Sequence, residues 1–245
     1  LEILNLNSNY IEDISPLKHL NKLESLHLDD NQIENIPDIK GLKSLDSLYL
    51  KSNRIKEITG IKYLISLENL VLSENELEDI SALESLYKLS KLHVSKNKVK
   101  NISPIKQLTS LRRLIMDNNE IKDVSPLKDM SNLRIIDLNY NKIKDVSSLK
   151  DLKLEKLYLN ENQISDISCL NNLIQNPNFK FVDVSNQCVF SKNFSAARII
   201  EIDGSENIPK PQNHIILGGE YIAFKFEASP LFNFLYNGHI VIHLK

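Results

Sequence analysis

The sequence predicts a repeat solenoid with one short β-strand in each repeat, followed by a small all-β domain. Asparagine recurs every 22 residues from Asn9 to Asn141, and Asn162 follows after 21. Leucine and isoleucine keep the same interval, whereas from Phe179 onward the rhythm gives way to short alternating segments between turn residues. Self-similarity at a fixed period is the sequence signature of a solenoid, in which each repeat packs only against its neighbours.

The first half of each repeat predicts a strand on the concave face. The pattern is L-x-x-L-x-L-x-x-N-x-I-x-x-I-x-x-L-x-x-L-x-x, and its L-x-L core, as in Leu26-His27-Leu28, alternates with the side-chain period of a strand. Its leucines are expected to face inward, and stacked strands would form a parallel sheet. The asparagine that follows can hydrogen-bond the backbone of the turn leaving the strand, which would form a ladder inside the coil.

The second half of each repeat predicts a short 3-10 turn on the convex face. In Ile102-Ser103-Pro104-Ile105 the proline needs no N–H partner at the start of the turn, and the serine before it is predicted to cap it. Eight copies are predicted from Leu1 onward, with a degenerate ninth beginning at Phe179. Because Leu1 already lies inside a repeat, we expect an amino-terminal cap to precede it.

Two domains are predicted, a solenoid at residues 1–189 and a β-sandwich at residues 190–245. Strand-like alternation occurs at 198–202, 221–226 and 239–244, between turn signals such as Asp203-Gly204 and Asn237-Gly238. Several short strands within so few residues are typical of a small sandwich. Such a domain would cover the apolar end of the last coil.

The repeats resemble the 22-residue class of leucine-rich repeats found in internalins and in the regulatory subunit of protein phosphatase 1. In internalins an immunoglobulin-like domain follows the last repeat, and the tail of this chain is similar. The matching segments are Asn186-Gln187, Ile215-Ile216-Leu217 before Gly218-Gly219-Glu220-Tyr221, and Tyr236-Asn237-Gly238-His239. The resemblance implies a leucine-rich-repeat solenoid, an immunoglobulin-like domain and a protein-binding function.

Composition excludes several classes of function. The 245 residues carry a net charge of −2 without a clustered excess of lysine and arginine, which argues against nucleic-acid binding. No stretch approaches the roughly 20 apolar residues of a membrane span. The two cysteines, Cys169 and Cys188, fit neither a disulfide framework nor a zinc signature and are predicted to be unpaired thiols.

The candidate protein-binding surface consists of the outward positions of the predicted strands. Apolar and aromatic side chains occur there among charged ones, a composition typical of protein interfaces. Strand propensity alone would also favour tyrosine, valine and isoleucine at these positions. The candidate binding residues are Tyr49, Lys51, Val71, Lys91, His93, Arg113, Ile115, Ile135 and Tyr158.

Charge is uneven along the repeats, which would favour a partner of matching polarity, although solvated faces without a partner would explain it equally well. The early coils carry Glu24, Asp29, Asp30, Asp46, Glu68, Glu74 and Glu76, and the fifth and sixth carry Lys91, Lys96, Lys98, Lys100, Arg112 and Arg113.

No catalytic, cofactor or metal site is predicted. The sequence contains no phosphate-binding loop, nucleophile elbow or H-E-x-x-H motif. His27 and His93 share a column but lie three strands apart, which is about 14 Å and too far for joint coordination. We therefore expect a binding protein rather than an enzyme.

The leading hypothesis is an internalin-like bacterial surface or secreted protein, active in adhesion and virulence, whose concave face binds a host-cell receptor or another protein. It is expected to be a monomer located extracellularly or at the cell surface. The alternative is a cytosolic scaffold resembling the phosphatase regulatory subunit. That family closes with a short repeat-like cap, so residues 190–245 count against it.

Overall fold

The computed structural model describes residues 1–174 and 176–184, together with three strands farther along the chain. Within these residues one sheet contains twelve strands in the order β1 to β9, then β10, β12 and β11. The strands are β1 Ile3–Asn5, β2 Ser25–His27, β3 Ser47–Tyr49, β4 Asn69–Val71, β5 Lys91–His93, β6 Arg113–Ile115, β7 Ile135–Asp137, β8 Lys156–Tyr158, β9 Phe181–Asp183, β10 His214–Gly218, β11 Asn233–Tyr236 and β12 His239–Ile242.

The nine strands of the solenoid pair in parallel, as predicted. The register matches equivalent repeat positions, so that Leu26 lies beside Leu48 and Leu48 beside Leu70. At the last step Leu157 pairs with Val182, which is a longer interval than between the other strands of the solenoid. The interval is longer because the four-residue helix α1 Asn171–Ile174 lengthens the convex side of that repeat. The degenerate ninth repeat therefore continues the sheet.

The convex side consists of 3-10 turns, one in most repeats, at Ser15–His19, Thr59–Tyr63, Ser81–Leu83, Ser103–Ile105, Ser125–Leu127, Ser147–Leu149 and Ser168–Leu170. Where these turns meet, the coils approach closely. A Cβ atom added at Gly60 would lie 1.8 Å from the carbonyl oxygen of Pro37, so only glycine fits there. None of the helices in the described part of the chain has the length and apolarity that crossing a bilayer requires.

The prediction that serine caps these turns is wrong. Ser125 is the first residue of its turn, the cap position is held by Val124, and no side chain caps it. Instead, Asp123 accepts a hydrogen bond from the Ser125 backbone N–H at 2.8 Å and one from its hydroxyl at 2.9 Å. The same pairing recurs at Asp13, Asp79 and Asp145. The aspartate two residues earlier therefore forms the turn, as aspartate commonly does in loops.

The predicted asparagine ladder is present inside the solenoid. The Asn97 amide nitrogen donates to the carbonyl oxygens of Leu72, Val94 and Ser95 at 3.0, 3.2 and 3.1 Å. Its oxygen accepts from the backbone N–H of Leu77 at 2.9 Å. Each such asparagine thus joins its own coil to the preceding one and satisfies backbone groups that would otherwise be buried unpaired.

A left-handed residue precedes each ladder asparagine. Glu74 has a φ of 59°, and its N–H donates to the Ser95 carbonyl of the next coil at 2.8 Å. None of the described left-handed residues is glycine, so coil-to-coil bonding compensates a conformation that L-residues rarely adopt. They are Ser8, Asp30, Ser52, Glu74, Lys96, Asn118, Tyr140 and Glu161.

The core is a continuous stack of inward leucines, isoleucines and valines. Leu92 and Leu114, at the centre of the solenoid, are both 0% exposed. The stack extends to Val184 without a gap between repeats. Because each layer packs on the next, the leucines predicted to face inward form one core.

The predicted immunoglobulin-like domain lies mostly outside the described residues. Strand β10 pairs in parallel with β9, and β11 and β12 form an antiparallel hairpin that joins β10 through β12. Of the predicted strand segments, 239–244 contains β12, and 198–202 and 221–226 lie outside the described residues. Cys169 carries a free thiol, and Cys188 also lies outside them. The domain fold of this region stays a prediction.

We expect Asn97→Ala to lower the free energy of unfolding by on the order of 3 kcal/mol, because it leaves several buried backbone groups without partners. The matched control is Asn9→Ala, at the same repeat position. Asn9 is exposed and donates to Leu6 and Asn7 within its own coil. Its loss should cost less than about 1 kcal/mol in urea titration, since water can replace it. Equal losses in the two variants would contradict the ladder's role.

Candidate protein-binding site

The strand register arranges the outward side chains in three columns that run along the solenoid. We name them the amino, central and carboxyl columns, in the order in which each strand contributes to them. The amino column is Ser25, Ser47, Asn69, Lys91, Arg113, Ile135, Lys156 and Phe181. The central column is His27, Tyr49, Val71, His93, Ile115, Asp137, Tyr158 and Asp183. The carboxyl column, two residues later, is Asp29, Lys51, Ser73, Ser95, Asp117, Asn139 and Asn160.

These columns bring the candidate binding residues together on the concave face. Tyr49, Val71, Ile115 and Tyr158 are partly exposed in the central column, while the leucines beside them are buried. Lys91 and Arg113 occupy neighbouring strands of the amino column and are both exposed. The arrangement is an apolar and aromatic strip with cations along one side.

Aromatic contacts lie at both ends of the central column. The His27 and Tyr49 rings are stacked, with centroids 4.5 Å apart and planes 8° from parallel. Tyr158 packs against Phe181, with centroids 4.9 Å apart and a tilt of 42°. Phe181 was missed as a candidate because the ninth repeat is longer than the others. Continuing the amino column past Lys156 would have found it.

The carboxyl column serves cohesion between coils. Asp29 accepts the backbone N–H of Lys51 at 2.7 Å, and Asn139 accepts that of Asn160 at 2.7 Å. These bonds extend the strand ladder by one residue, a role the sequence pattern did not predict. Lys51 differs from the other candidates, because its ammonium lies 3.7 Å from Glu74, toward the flank that carries the ladder. The side chains of the central and amino columns are thus less involved in contacts between coils than those of the carboxyl column.

The ladder flank is the side of the solenoid where the chain leaves each strand near the ladder asparagine, and its charged residues form ion pairs between neighbouring coils. Lys96 lies 2.8 Å from Glu74, Lys98 3.3 Å from Glu76, and Lys142 2.6 Å from Glu120. Hydrogen bonds from Lys96 and Ser52 hold the pKa of Glu74 down at about 2. Two of the six cations assigned to the fifth and sixth coils are thus neutralised by the acidic coils before them.

The cations of the amino side are not paired in this way. Within the described residues, no carboxylate oxygen lies within 4.0 Å of Lys91, Arg112 or Arg113. Beside them, burial lowers the pKa of His93, and the charges of Arg113 and Lys91 lower it further. Its Nε2 atom is buried and has no hydrogen-bond partner in the described part of the chain. His93 is therefore a neutral member of the strip.

Asp137 is a central-column carboxylate whose charge the Asn139 N–H and Arg113 compensate only in part. Burial raises its pKa to about 6, and the charges of Asp117 and Asp183 act in the same direction. The Asn139 backbone N–H donates to it at 3.1 Å and opposes the shift. In residues 1–174 and 176–184 no lysine or arginine lies within 4.0 Å of it. A cation from a partner would relieve this unfavourable burial.

The described residues contain no group of three histidine, cysteine, aspartate or glutamate side chains placed to hold a metal ion.

Comparison with known proteins identifies the family. The model for Leucine Rich repeats (2 copies) matches residues 1–41, 21–63, 65–107 and 109–151. An internalin of Listeria monocytogenes is 33% identical with a TM-score of 0.70, over 78% of this chain and 63% of its own. Internalin C2 of the same organism is 33% identical with a TM-score of 0.67, over 78% of this chain and 80% of its own. The chain belongs to the leucine-rich-repeat family.

The repeats of this leucine-rich-repeat protein are internalin-like, which confirms the resemblance for the solenoid. A leucine-rich-repeat protein of Leptospira interrogans has the same fold, with 26% identity and a TM-score of 0.71, over 77% of this chain and 50% of its own. The chain thus spans less than two thirds of the first internalin and half of the Leptospira protein. No curated protein matches the sequence.

The raised pKa of Asp137 predicts a pH-dependent effect of Asp137→Asn. The folded-state pKa of about 6 lies above the ordinary value of 3.8, so ionisation destabilises the fold as the pH rises through this range. The full shift corresponds to at most about 3 kcal/mol, and partial exposure reduces it to about 1–2 kcal/mol. Asparagine keeps the acceptor for Asn139. The variant should be more stable than the parent at pH 7.5, and this gain should vanish near pH 4.

Urea titrations at several pH values measure this difference. Asp151→Asn, which removes an exposed aspartate, controls for the general loss of a negative charge. A pH-independent difference for Asp137→Asn would show that its carboxylate is well solvated.

Proposed function

We propose that this leucine-rich-repeat protein binds a partner protein through the central and amino columns of its concave face. Leucine-rich-repeat domains are protein-interaction modules, and here one observation carries the assignment to the concave face. Aromatic and apolar side chains remain partly exposed along a rigid strip, next to cations that the fold leaves unpaired. Protein interfaces typically combine buried aromatic anchors with a polar rim.

Rigidity supports this proposal. The strip lies on strands whose register is fixed by backbone pairing on both sides. Tyr49 and Tyr158 are further held by ring contacts with His27 and Phe181. Preordered aromatic side chains lose little conformational entropy on binding, which favours affinity. The protein acts by binding rather than by catalysis in this proposal.

A second exposed apolar group provides a comparison surface. Ile65 and Tyr87, at equivalent positions of consecutive coils, are 62% and 59% exposed, and Tyr63 is 47% exposed. They lie outside the strands: Tyr63 ends the 3-10 turn Thr59–Tyr63, and Ile65 and Tyr87 lie in the segments that follow the turns. A shallow groove next to Tyr87 is lined by Thr59, Lys62, Ser81, Ala82, Glu84 and Ser85. Since this group does not share the strand register, it serves as a control in binding tests.

The internalin-like repeats support a location outside a bacterial cell. We propose a surface or secreted protein with a solenoid at residues 1–189, an immunoglobulin-like domain at 190–245, a monomeric state and a host-cell protein as partner. A cytosolic scaffold resembling the phosphatase regulatory subunit is the alternative.

Labelling intact source cells with a membrane-impermeant, lysine-reactive biotin reagent distinguishes these locations. Exposed lysines such as Lys106 and Lys128 provide reactive groups on the convex side. We expect labelled peptides of this protein without labelled cytosolic markers. Labelling that requires cell lysis would support the cytosolic scaffold instead.

Replacing Tyr49 and Tyr158 together by alanine should weaken partner binding at least about tenfold, because aromatic anchors carry much of an interface's free energy. Stability should fall by less than about 2 kcal/mol, since each ring is partly exposed and loses one ring contact. The measurement is capture of solubilised host-cell surface proteins on the immobilised full chain, with quantitative mass spectrometry and thermal unfolding.

The matched control replaces Ile65 and Tyr87 by alanine. Proteins retained by the parent and the control, but lost from the concave variant, support the proposal. If proteins were instead lost from the Ile65 and Tyr87 variant and kept by the concave variant, the interface would lie at Ile65 and Tyr87 and the proposal would be refuted.

A further inference from the structure

Five cations form a row on the amino side of strands β5 to β8. They occupy the amino column and the positions immediately before it, and are Lys91, Arg112, Arg113, Arg134 and Lys156. At about 4.8 Å per strand the row is about 14 Å long. Within the described residues none of the five forms an ion pair. In the same part of the chain Arg134 alone among them donates to backbone carbonyl oxygens, those of Ser131 and Leu133 at 2.9 and 2.8 Å. The row is bounded by Glu68 at one end and by the Glu155–Lys180 ion pair, at 3.0 Å, at the other.

Carboxylates occupy the parallel columns of the same region. Asp137 and Asp183 lie in the central column, and Asp117 lies in the carboxyl column, where Ser95 and Asn118 donate to it. Two residues of a strand separate neighbouring columns, which is about 7 Å. Within the described residues neither Asp117 nor Asp137 lies within 4.0 Å of a cation of the row. The concave face therefore has a charge polarity across the strands, in addition to the uneven charge along the solenoid that the sequence shows.

We propose that this transverse polarity orients the partner. The partner places carboxylates over the cationic row and a lysine or arginine side chain over Asp137, with apolar contact at Ile115 and Ile135 between them. The proposal rests on concave-face binding as proposed above and adds the chemistry of the segment that is bound. The raised pKa of Asp137 agrees with it, because Arg113 alone does not compensate the buried carboxylate.

The same polarity disfavours a polyanion such as a sulfated polysaccharide. A chain of one sign lying on the cationic row would pass about 7 Å from Asp137, which is within the Debye length of roughly 8 Å at physiological salt. Repulsion from the carboxylates would then offset part of its attraction to the cations. A protein segment avoids this conflict because it can carry both signs.

Fluorescence anisotropy with three labelled probes tests the proposal on the full chain. The probes are a glutamate-only peptide, a peptide of equal length with glutamates at one end and arginines at the other around a tryptophan, and a heparin octasaccharide. The variants are Arg113→Glu and Asp137→Asn. Lys106→Glu is the matched control, since Lys106 is an exposed lysine at the end of a convex turn.

We expect the mixed peptide to bind about tenfold more tightly than the glutamate-only peptide, because only the mixed peptide complements both rows. Arg113→Glu should weaken the mixed peptide about tenfold and Asp137→Asn about threefold, while Lys106→Glu changes binding less than twofold. Asp137→Asn should leave the glutamate-only peptide as tightly bound or tighter. This opposite response to one substitution is specific to transverse polarity.

Other outcomes overturn the proposal. If the parent protein bound heparin as tightly as the mixed peptide, and Asp137→Asn bound heparin more tightly still, the site would be a polyanion site. Equal effects of Arg113→Glu and Lys106→Glu, or no binding of the mixed peptide at millimolar concentration, would also refute it. Passing both charge variants through the capture assay separates the two proposals. Captured proteins that need Tyr49 and Tyr158 but tolerate Arg113→Glu and Asp137→Asn would refute the polarity and leave concave binding intact.

Discussion

The asparagine ladder is the interaction on which the rest of the structure depends. From Asn31 to Asn162 each ladder amide donates to carbonyl oxygens of two coils and accepts one backbone N–H, as Asn97 does with Leu72, Val94 and Leu77. This bonding fixes how far each coil is displaced from the last, and with it the parallel register of the strands. A left-handed residue precedes each asparagine, and from Ser8 to Tyr140 its N–H bonds the next coil, which stabilises this conformation. A concave face with straight columns follows from these local bonds.

Polar side chains on this scaffold divide according to whether the fold uses them. Carboxyl-column residues such as Asp29 accept backbone N–H groups of the next coil, and flank residues such as Glu74 and Lys96 pair with each other. Lys91, Arg112, Arg113 and Lys156 do neither within the described residues, whereas Arg134 donates to the carbonyl oxygens of Ser131 and Leu133. In the described part of the chain Asp137 accepts only the Asn139 N–H of its own coil. A repeat scaffold readily supplies an oppositely charged residue one coil away, as at Glu120 and Lys142. The coil neighbours of Asp137, however, are Ile115 and Tyr158, neither of which compensates its charge.

Periodicity allowed the strands, the inward leucines, the ladder and the three columns to be predicted, because the repeat position alone determines which way a residue faces. It could not predict what a side chain contacts once it faces that way. Hence the serine at the start of each turn was predicted to cap it, although residues such as Asp123 form the turn. Lys96 and Lys98 were grouped with Lys91 and Arg113, although they pair on the ladder flank. Phe181 was missed because the ninth repeat is longer. The axis of the charge separation depends on columns and pairing together, and so required the structure.

The unfavourable burial of Asp137 has a thermodynamic consequence for binding. A carboxylate that the free protein compensates only in part raises the free energy of the unbound state, and a partner cation that pairs with it removes this penalty on association. Glu74 cannot contribute in this way, since Lys96 and Ser52 already stabilise its charge in the free protein. The two carboxylates thus differ in effect. The charge of Glu74 stabilises the contact between coils, whereas the charge of Asp137 would favour binding of a cationic partner group. In the proposed mode of binding, affinity and orientation at the concave face arise from groups whose charges the fold leaves unbalanced, next to an aromatic strip held by ring contacts.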